Sequence, residues 1–339
     1  MSTTSSEVKV GEISYRCGSE VHDLGCSRAL VVGGGTRGPR VVCDMIDADS
    51  GSVSRVQDCP ISIGSSGMVG SRLLAVEAFT LEQTTSWTPV IAWSDPPYEA
   101  WRVDSLPSAI VGRPLVVVLD EDSCAVVAAS PAGLEVFRGA IGGTSWHWDH
   151  STHVEARGVR DIAAGCRESL GGGLWIVASA SIFGRNRLYF VLWNHCREVT
   201  DLAVLHACGV GLCALDEAVI LGGGALGAIS TIFQAGDRDA GLGPVVRIDG
   251  WIGGHVVRVG KNRACALVGA ANDFSAEIIV LDAFRSHSDV RLVPRRVGRT
   301  SNVYTFGSFG AGRIILVREP DTRGGPATLT VMDVGSGSV

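Results

Sequence analysis

The sequence predicts an all-β fold of seven four-stranded antiparallel sheets, and three observations support this. A phrase of two short apolar runs separated by a polar or Gly-rich break recurs seven times, with copies beginning 44 to 51 residues apart. Gly accounts for 44 of the 339 residues, as expected where tight turns join short strands. No stretch shows the periodicity of an amphipathic helix. A repeat of this length holds one four-stranded sheet, which is the blade of a β-propeller.

Each copy is expected to contribute two adjacent strands of one blade. Its apolar runs are continuous rather than alternating, which is typical of strands covered on both faces. Stacked blades hide the two apolar faces that a single sheet would leave exposed. In chain order, the paired runs are 29–35 with 40–47, 73–76 with 89–93, 124–130 with 134–137, 174–178 with 188–193, 218–224 with 229–233, 264–269 with 278–282, and 314–317 with 329–333. Residues in these runs that we expect to be buried are Trp93, Trp175, Trp193, Cys43, Cys124 and Cys265.

Composition and charge argue against several classes of function. The net charge of −6 disfavours a nucleic-acid backbone as the main partner, because such binding needs an excess of Lys and Arg. The first ten residues contain no apolar signal core, so we expect the cysteines to be reduced and the protein to be cytoplasmic or nuclear. No apolar run reaches the roughly 18 to 20 residues that cross a bilayer. The low charged fraction, 19%, fits either doubly covered strands or a surface covered by a partner.

The second run of several copies resembles the phrase that closes the third strand of a WD40-repeat blade. In that family an apolar residue, Trp and Asp precede a turn that ends in Gly. The segments similar to this phrase, with Ile, Leu or Met in place of Trp, are 45–51, 280–283 and 331–337. The chain therefore resembles a divergent WD40-type propeller. The glycine clusters 33–35 and 222–224 are also similar to the kelch family, and both families have many seven-bladed members. The sequence alone also allows a ring of six or eight blades.

The resemblance also implies how the ring closes. Copy seven ends without a fourth strand, whereas residues 8–13 form a strand-like segment before copy one. We expect 8–13 to complete the seventh blade as its outer strand, because a ring must close without an open sheet edge. The predicted organisation is a flexible tail over residues 1–5 and a single propeller domain over residues 6–339.

Function is expected to reside in loops, because the strands only build the scaffold. WD40-like geometry implies that the loops between second and third strands open on the same face as the loops between blades. On that face we expect the long loops 77–87, 179–187 and 319–326 and two inter-blade segments, 145–155 and 294–299. The candidate partner-binding residues are Trp87, Trp146, His147, Trp148, Asp149, His150, His153, Arg295, Arg296 and Arg299.

The segment 145–155 contains the residue types that could bind a metal or take part in catalysis. Imidazoles and carboxylates at even spacing share one side of an extended strand, and together they suit a divalent metal. The residues with this spacing are His147, Asp149, His153 and Glu155. The alternative interpretation, which we adopt, is a hydrogen-bonding loop that contacts a partner. We therefore predict neither a metal nor another cofactor.

The arginines at 295, 296 and 299 allow contact with a phosphoinositide, another phosphate or an acidic peptide. A solvated loop is the simpler interpretation, since three arginines form a small footprint on an acidic protein.

These observations together predict a non-catalytic WD40-like scaffold or adaptor that binds other proteins within a larger assembly. The alternative is a hydrolase-like propeller enzyme that uses residues 145–155, with or without a metal. Such an enzyme requires carboxylates or imidazoles with shifted pKa values that converge at the mouth of the central channel.

Overall fold

The part of the chain that the structure describes contains 29 β-strands and no helix. The computed structural model describes residues 7–13, 20–34, 41–56, 58–78, 86–129, 133–142, 145–156, 159, 161–167, 173–179, 186–191, 199–205, 207–225, 230–237, 241–269, 275–287, 289–319 and 325–335. Among these residues no helix is long and apolar enough to span a membrane.

The strands form seven antiparallel sheets, which we number as blades 1 to 7. Blade 1 contains β2 (Glu20–Gly25), β3 (Arg28–Gly34), β4 (Val41–Asp47) and β5 (Ser52–Arg55). Blade 2 contains β6 (Ile63–Val69), β7 (Arg72–Glu77), β8 (Val90–Ser94) and β9 (Arg102–Ser105). Blade 3 contains β10 (Pro114–Val118), β11 (Ser123–Ala129), β12 (Gly133–Gly142) and β13 (Ser145–Glu155). Blade 4 contains β14 (Asp161–Cys166), β15 (Leu174–Ser179), β16 (Asn186–Val191) and β17 (Val199–Leu205). Blade 5 contains β18 (Ala207–Ala214), β19 (Val219–Ala225), β20 (Ser230–Asp237), β21 (Gly241–Leu242) and β22 (Val246–Asp249). Blade 6 contains β23 (Trp251–Gly260), β24 (Arg263–Gly269), β25 (Ser275–Arg285) and β26 (Val290–Ser301). Blade 7 contains β27 (Val303–Ser308), β28 (Arg313–Arg318), β29 (Ala327–Asp333) and β1 (Glu7–Ile13).

The first strands of the blades contact one another in a closed cycle, from β2 through β6, β10, β14, β18, β23 and β27 back to β2. These strands line the centre of the ring, and the last strand of each blade lies on its circumference. The expectation of seven antiparallel blades is confirmed. In blade 5 the outer strand is split into β21 and β22, which both pair with β20.

Each interface between neighbouring blades holds its own apolar cluster, so the described buried residues form seven clusters around the ring. On β3, Ala29 and Val31 pack towards blade 7, whereas Leu30 and Val32 pack towards blade 2. Burial on both faces explains the continuous apolar runs, and each fully buried Val or Leu contributes about 2 kcal/mol. The residues predicted to be buried that are confirmed are Trp93, Trp175, Cys43, Cys124 and Cys265. Trp193 lies outside the described residues.

The N-terminal strand closes the ring, as the sequence predicted. Strand β1 pairs with β29 in a register that runs from Glu7 opposite Met332 to Ile13 at the far end. Val10 and Ile13 are buried in the cluster between blades 7 and 1. The Arg318 guanidinium donates to the Glu7 carboxylate across this sheet. Residues 1–5, the predicted tail, lie outside the described part of the chain.

An Arg at the start of the second strand faces an Asp at the end of the third strand in four blades. The Nε–Oδ1 distances are 2.6 Å for Arg72 and Asp95 and 2.5 Å for Arg263 and Asp282. The other two couples, opposite each other in the β-ladders, are Arg28 with Asp47 and Arg313 with Asp333. Three of these aspartates belong to the WD40-like phrases. Asp282 pairs with Arg263, whereas Asp47 and Asp333 accept backbone N–H groups of the turns that follow them.

Deletion of residues 1–14 removes β1 and is expected to destabilise the whole ring. The lost burial of Val10 and Ile13 alone costs about 4 kcal/mol, at roughly 2 kcal/mol for each side chain. The free energy of unfolding, measured by denaturation with guanidinium, reports the loss, and deletion of residues 1–5 is the control. Equal stability of the 1–14 deletion and the full chain would contradict closure by β1.

Candidate functional site

Residues 145–155 form the 11-residue outer strand β13. The prediction of a loop between blades 3 and 4 is therefore wrong. Strand β13 pairs with β12 along its length. An outermost strand has one edge towards solvent, so its composition is more polar than the apolar runs that mark the inner strands.

A β-bulge separates the two histidines on which the metal hypothesis depends. The ladder changes register between Trp148 and His150, which makes Asp149 the extra residue. An inserted residue reverses the alternation of faces, so His147 lies on the opposite face of the sheet from His153. The expectation that these residues share one side of the strand is wrong.

The ligand atoms on β13 do not converge on one point. His153 Nδ1 lies 2.7 Å from Glu135 Oε1 on β12, which makes an exposed pair with a neighbouring strand. Within the described residues, no group of three or more His, Cys, Asp or Glu side chains is placed to hold a metal. The side chains of Asp149 and His150 lie outside the described part of the structure.

The candidate tryptophans pack within the ring. Trp146 is only 4% exposed, stacks on Trp148 with 6.1 Å between ring centroids, and meets the edge of Trp93 at 6.5 Å. All three belong to the cluster between blades 2 and 3. Trp87 packs partly against the same cluster and exchanges two backbone hydrogen bonds with Ile110. The structure therefore gives these side chains a packing role.

The arginine segment 294–299 lies within the outer strand β26, so the predicted loop between blades 6 and 7 is also wrong. Arg296 Nε is 3.1 Å from Glu277 Oε2, and Arg299 Nη2 is 3.3 Å from Glu277 Oε1. One carboxylate on β25 thus compensates part of the charge of two exposed guanidinium groups. Less positive charge is left for a phosphoinositide or an acidic peptide than the sequence indicated.

The three long loops that the sequence predicted, 77–87, 179–187 and 319–326, join the second and third strands of blades 2, 4 and 7. Residues 79–85, 180–185 and 320–324 within these loops lie outside the described part of the chain.

Three polar side chains meet on the first strands of blades 1 and 2, and we call Glu20, His22 and Ser66 the channel-wall cluster. The Ser66 backbone N–H donates to Glu20 Oε2 at 2.6 Å, and the Ser66 hydroxyl donates to the same oxygen. His22 Nε2 lies 2.7 Å from Ser66 Oγ and 3.8 Å from Glu20 Oε2. Because the hydroxyl proton is given to the carboxylate, the imidazole donates its Nε2–H to the remaining lone pair of Ser66.

Burial shifts the two titratable groups of the cluster in opposite directions. Desolvation raises the pKa of Glu20, although hydrogen bonds from Ser66 and the charge of Arg113 oppose this. Desolvation lowers the pKa of His22 to about 4, so the imidazole is neutral near pH 7. The Glu20 side chain keeps 31% of its surface exposed and that of His22 only 13%, which makes His22 the more firmly enclosed group. The enzyme hypothesis requires carboxylates or imidazoles with shifted pKa values that converge at the mouth of the channel, and this cluster supplies one of each on first strands.

Sequence reasoning missed the channel-wall cluster for an identifiable reason. The repeated phrase marks only the second and third strands, whereas Glu20, His22 and Ser66 lie on first strands. The available signal was local, since Glu20 and His22 are two residues apart with Val21 between them, as expected for one polar face of a strand. Nothing in the sequence indicates that Ser66, 44 residues after His22, faces them.

The comparisons with known proteins show the fold alone. No protein-family model and no curated protein sequence matches the chain. Among solved structures, the WD40 domain of coronin from Toxoplasma gondii aligns with a TM-score of 0.61 and 9% identity over 99% of this chain and 88% of that chain. Oligogalacturonate lyase in complex with manganese aligns with a TM-score of 0.60 and 10% identity over 99% and 95%. Hydrazine synthase from Kuenenia stuttgartiensis aligns with a TM-score of 0.59 and 12% identity over 96% and 95%.

The class of protein is therefore a seven-bladed β-propeller. Neighbours of this fold include both a WD40 domain and enzymes, so the fold does not decide the function.

Acid is expected to destabilise the protein through His22. Its pKa is about 4 when folded, below the ordinary value of 6.5, so the unfolded chain binds the proton more readily and stability is lost as the pH falls from 6.5 to 4. Between pH 7 and pH 4.5 this amounts to about 2 kcal/mol, at 1.36 kcal/mol for each pKa unit. Glu20 has the opposite sign, because its raised pKa makes the folded state gain stability as its carboxyl is protonated.

The measurement is urea denaturation of the wild type and His22→Gln at both pH values. The amide of Gln can still donate to Ser66 but does not titrate, so we expect the variant to lose about 2 kcal/mol less on acidification. Parallel loss of stability in both proteins would show that His22 is not buried as described.

Proposed function

We propose that the protein is a non-catalytic scaffold that binds other proteins through the circumference of its ring. One observation carries this proposal. The segments that carry most of the candidate partner-binding residues, 145–155 and 290–301, are the two longest outer strands, at 11 and 12 residues. Both lie at the end of the strand order of their sheets, so within the described residues their outer edges pair with no further strand.

An unpaired edge of this length is suited to protein recognition. Its backbone N–H and C=O groups can accept an additional strand from a partner, and the side chains beside them provide specificity. Strand β13 presents His147, His153 and Glu155 to solvent, whereas β26 presents Arg296 and Arg299. The two edges therefore differ in charge, which favours two different partner surfaces.

We further propose that the blades are divergent WD40-type blades. The support is the recurrent Asp at the end of the third strand, which in blades 1, 6 and 7 faces an Arg from the second strand. The seven cysteines whose side chains the structure describes are free, which favours a reducing compartment such as the cytoplasm or the nucleus.

Mild affinity purification of the tagged full-length protein from its native cells tests the scaffold. We expect stoichiometric partners in size-exclusion chromatography and mass spectrometry, with at least tenfold loss of one partner from His147→Glu/His153→Glu on β13 or Arg296→Glu/Arg299→Glu on β26. The matched control is Arg102→Glu on β9, where an exposed Arg is likewise paired, with Asp95 at 3.7 Å. Elution of the wild type as a clean monomer would sink the proposal.

A second candidate, a hydrolase-like enzyme, is favoured by the channel-wall cluster rather than by residues 145–155. A nucleophilic Ser66 would give its proton to His22 Nε2, and the 2.7 Å separation allows this transfer. In the geometry described, however, Glu20 contacts the serine instead of orienting the imidazole, so the order of a Ser-His-acid triad is not met.

Labelling with a rhodamine fluorophosphonate separates the two candidates. This probe reacts with activated serines, and we expect no labelling of Ser66, because its hydroxyl proton is held by Glu20 and its lone pair by His22. The control is Ser66→Ala. Fluorescence that appears on the wild type and vanishes in Ser66→Ala would favour the enzyme over the scaffold.

A further inference from the structure

A cavity of about 690 Å³ opens on the turn face, the face of the ring where first and second strands are joined, at blades 5, 6 and 7. The Arg263–Asp282 ion pair lines it, with 2.5 Å between Nε and Oδ1. Phe284 forms one wall and is 42% exposed, which is unusual for so large an apolar side chain. The volume is within the range of pockets that hold a small ligand or a few peptide residues.

The walls of the cavity are fixed before anything binds. The turn between β23 and β24 carries Asn262, whose side-chain oxygen accepts the Glu217 N–H of blade 5 at 3.1 Å, and whose carbonyl accepts the Ala283 N–H at 2.8 Å. On the other side, Gly312 of blade 7 donates its N–H to the Val259 carbonyl at 2.9 Å. Hydrogen bonds to both neighbouring blades hold this turn, so little conformational entropy is lost when a ligand binds.

One cation lies over the exposed aromatic ring, and a second lines the same cavity. Lys261 lies in the turn that lines the cavity, and Arg291 holds its guanidinium carbon 5.9 Å from the centroid of the Phe284 ring. Among the described residues neither cation forms an ion pair, whereas Arg263 and Arg285 of the same cavity are each paired with an aspartate. These two uncompensated cations supply local positive charge on a protein of net charge −6.

We propose that this cavity binds a linear segment of a partner protein that places an apolar side chain against Phe284 and carboxylates beside Lys261 and Arg291. The inference rests on the proposed scaffold function and names the recognition chemistry of a second surface. Exposed aromatic residues at a pocket anchor protein interfaces, and uncompensated cations select acidic partners. The Glu217 carboxylate, which also lines the cavity, can accept a hydrogen bond from a donor on the same segment.

A phage library of random dodecapeptides, panned against the full-length protein, is the test. We expect enriched peptides to share an acidic residue within three positions of a large apolar residue. Synthetic peptides from the enriched clones should bind Phe284→Asp at least tenfold more weakly, and panning against Lys261→Glu/Arg291→Glu should select basic flanking residues instead. The matched control is Val103→Asp on β9, an apolar residue on another blade that is 52% exposed.

Peptides without a shared acidic and apolar pattern, or binding unchanged in both cavity variants, would overturn the proposal. All variants are first compared by thermal unfolding, and Lys261→Glu alone, in an exposed turn, serves if Phe284→Asp is unstable. If native partners still bind the Phe284→Asp variant, the scaffold proposal stands and the cavity is refuted as their binding site. Peptide binding by a protein that has no native partners refutes the scaffold but not the cavity.

Discussion

A four-stranded sheet with two apolar faces can be buried only between two others, and this constraint determines the rest of the structure. On β3, Leu30 and Val31 are consecutive residues that are both fully buried, one against each neighbouring blade. A row of such sheets would leave one bare face at each end, and closing the row into a ring removes both. Closure in turn requires the first and last segments of the chain to share blade 7, which is the role of β1.

The ring assigns different chemistry to its different parts. First strands face the centre, where Glu20, His22 and Ser66 satisfy one another across two blades. Outer strands lie on the circumference and, among the described residues, keep one edge unpaired, so their backbone groups can pair with a strand from the proposed partners. On the turn face, Asn262 ties one blade to the next, and the same hydrogen bonds that hold the blades together shape the cavity beside Phe284. The surfaces proposed to bind partners are therefore shaped by the contacts that hold the ring.

The second and third strands of each blade were predictable because burial on both faces requires consecutive apolar residues, such as 314–317. The closing strand was predictable from topology, since blade 7 was one strand short. The outer strands were not, because β13 and β26 are exposed along one edge and read as polar loops. The bulge at Asp149 also could not be foreseen, and it overturned the even spacing of the histidines.

The channel-wall cluster was beyond sequence reasoning for a further reason. Ser66 reaches Glu20 only because neighbouring first strands are brought side by side by ring closure, a long-range contact that no local pattern records. Lys261, Arg291 and Phe284 are likewise separated along the chain and joined by the β25–β26 hairpin and the adjacent turn.

We propose that partners contact the outside of the ring and not its channel. Hydrogen–deuterium exchange of the free protein and of the complex purified from native cells tests this most directly, because exchange slows where backbone amides become buried or paired. We expect slower exchange in peptides that cover β13, β26 or the turn that carries Lys261, with β2 and β6 unchanged. Slower exchange confined to β2 and β6 would instead place the binding site in the channel and refute binding on the outside of the ring.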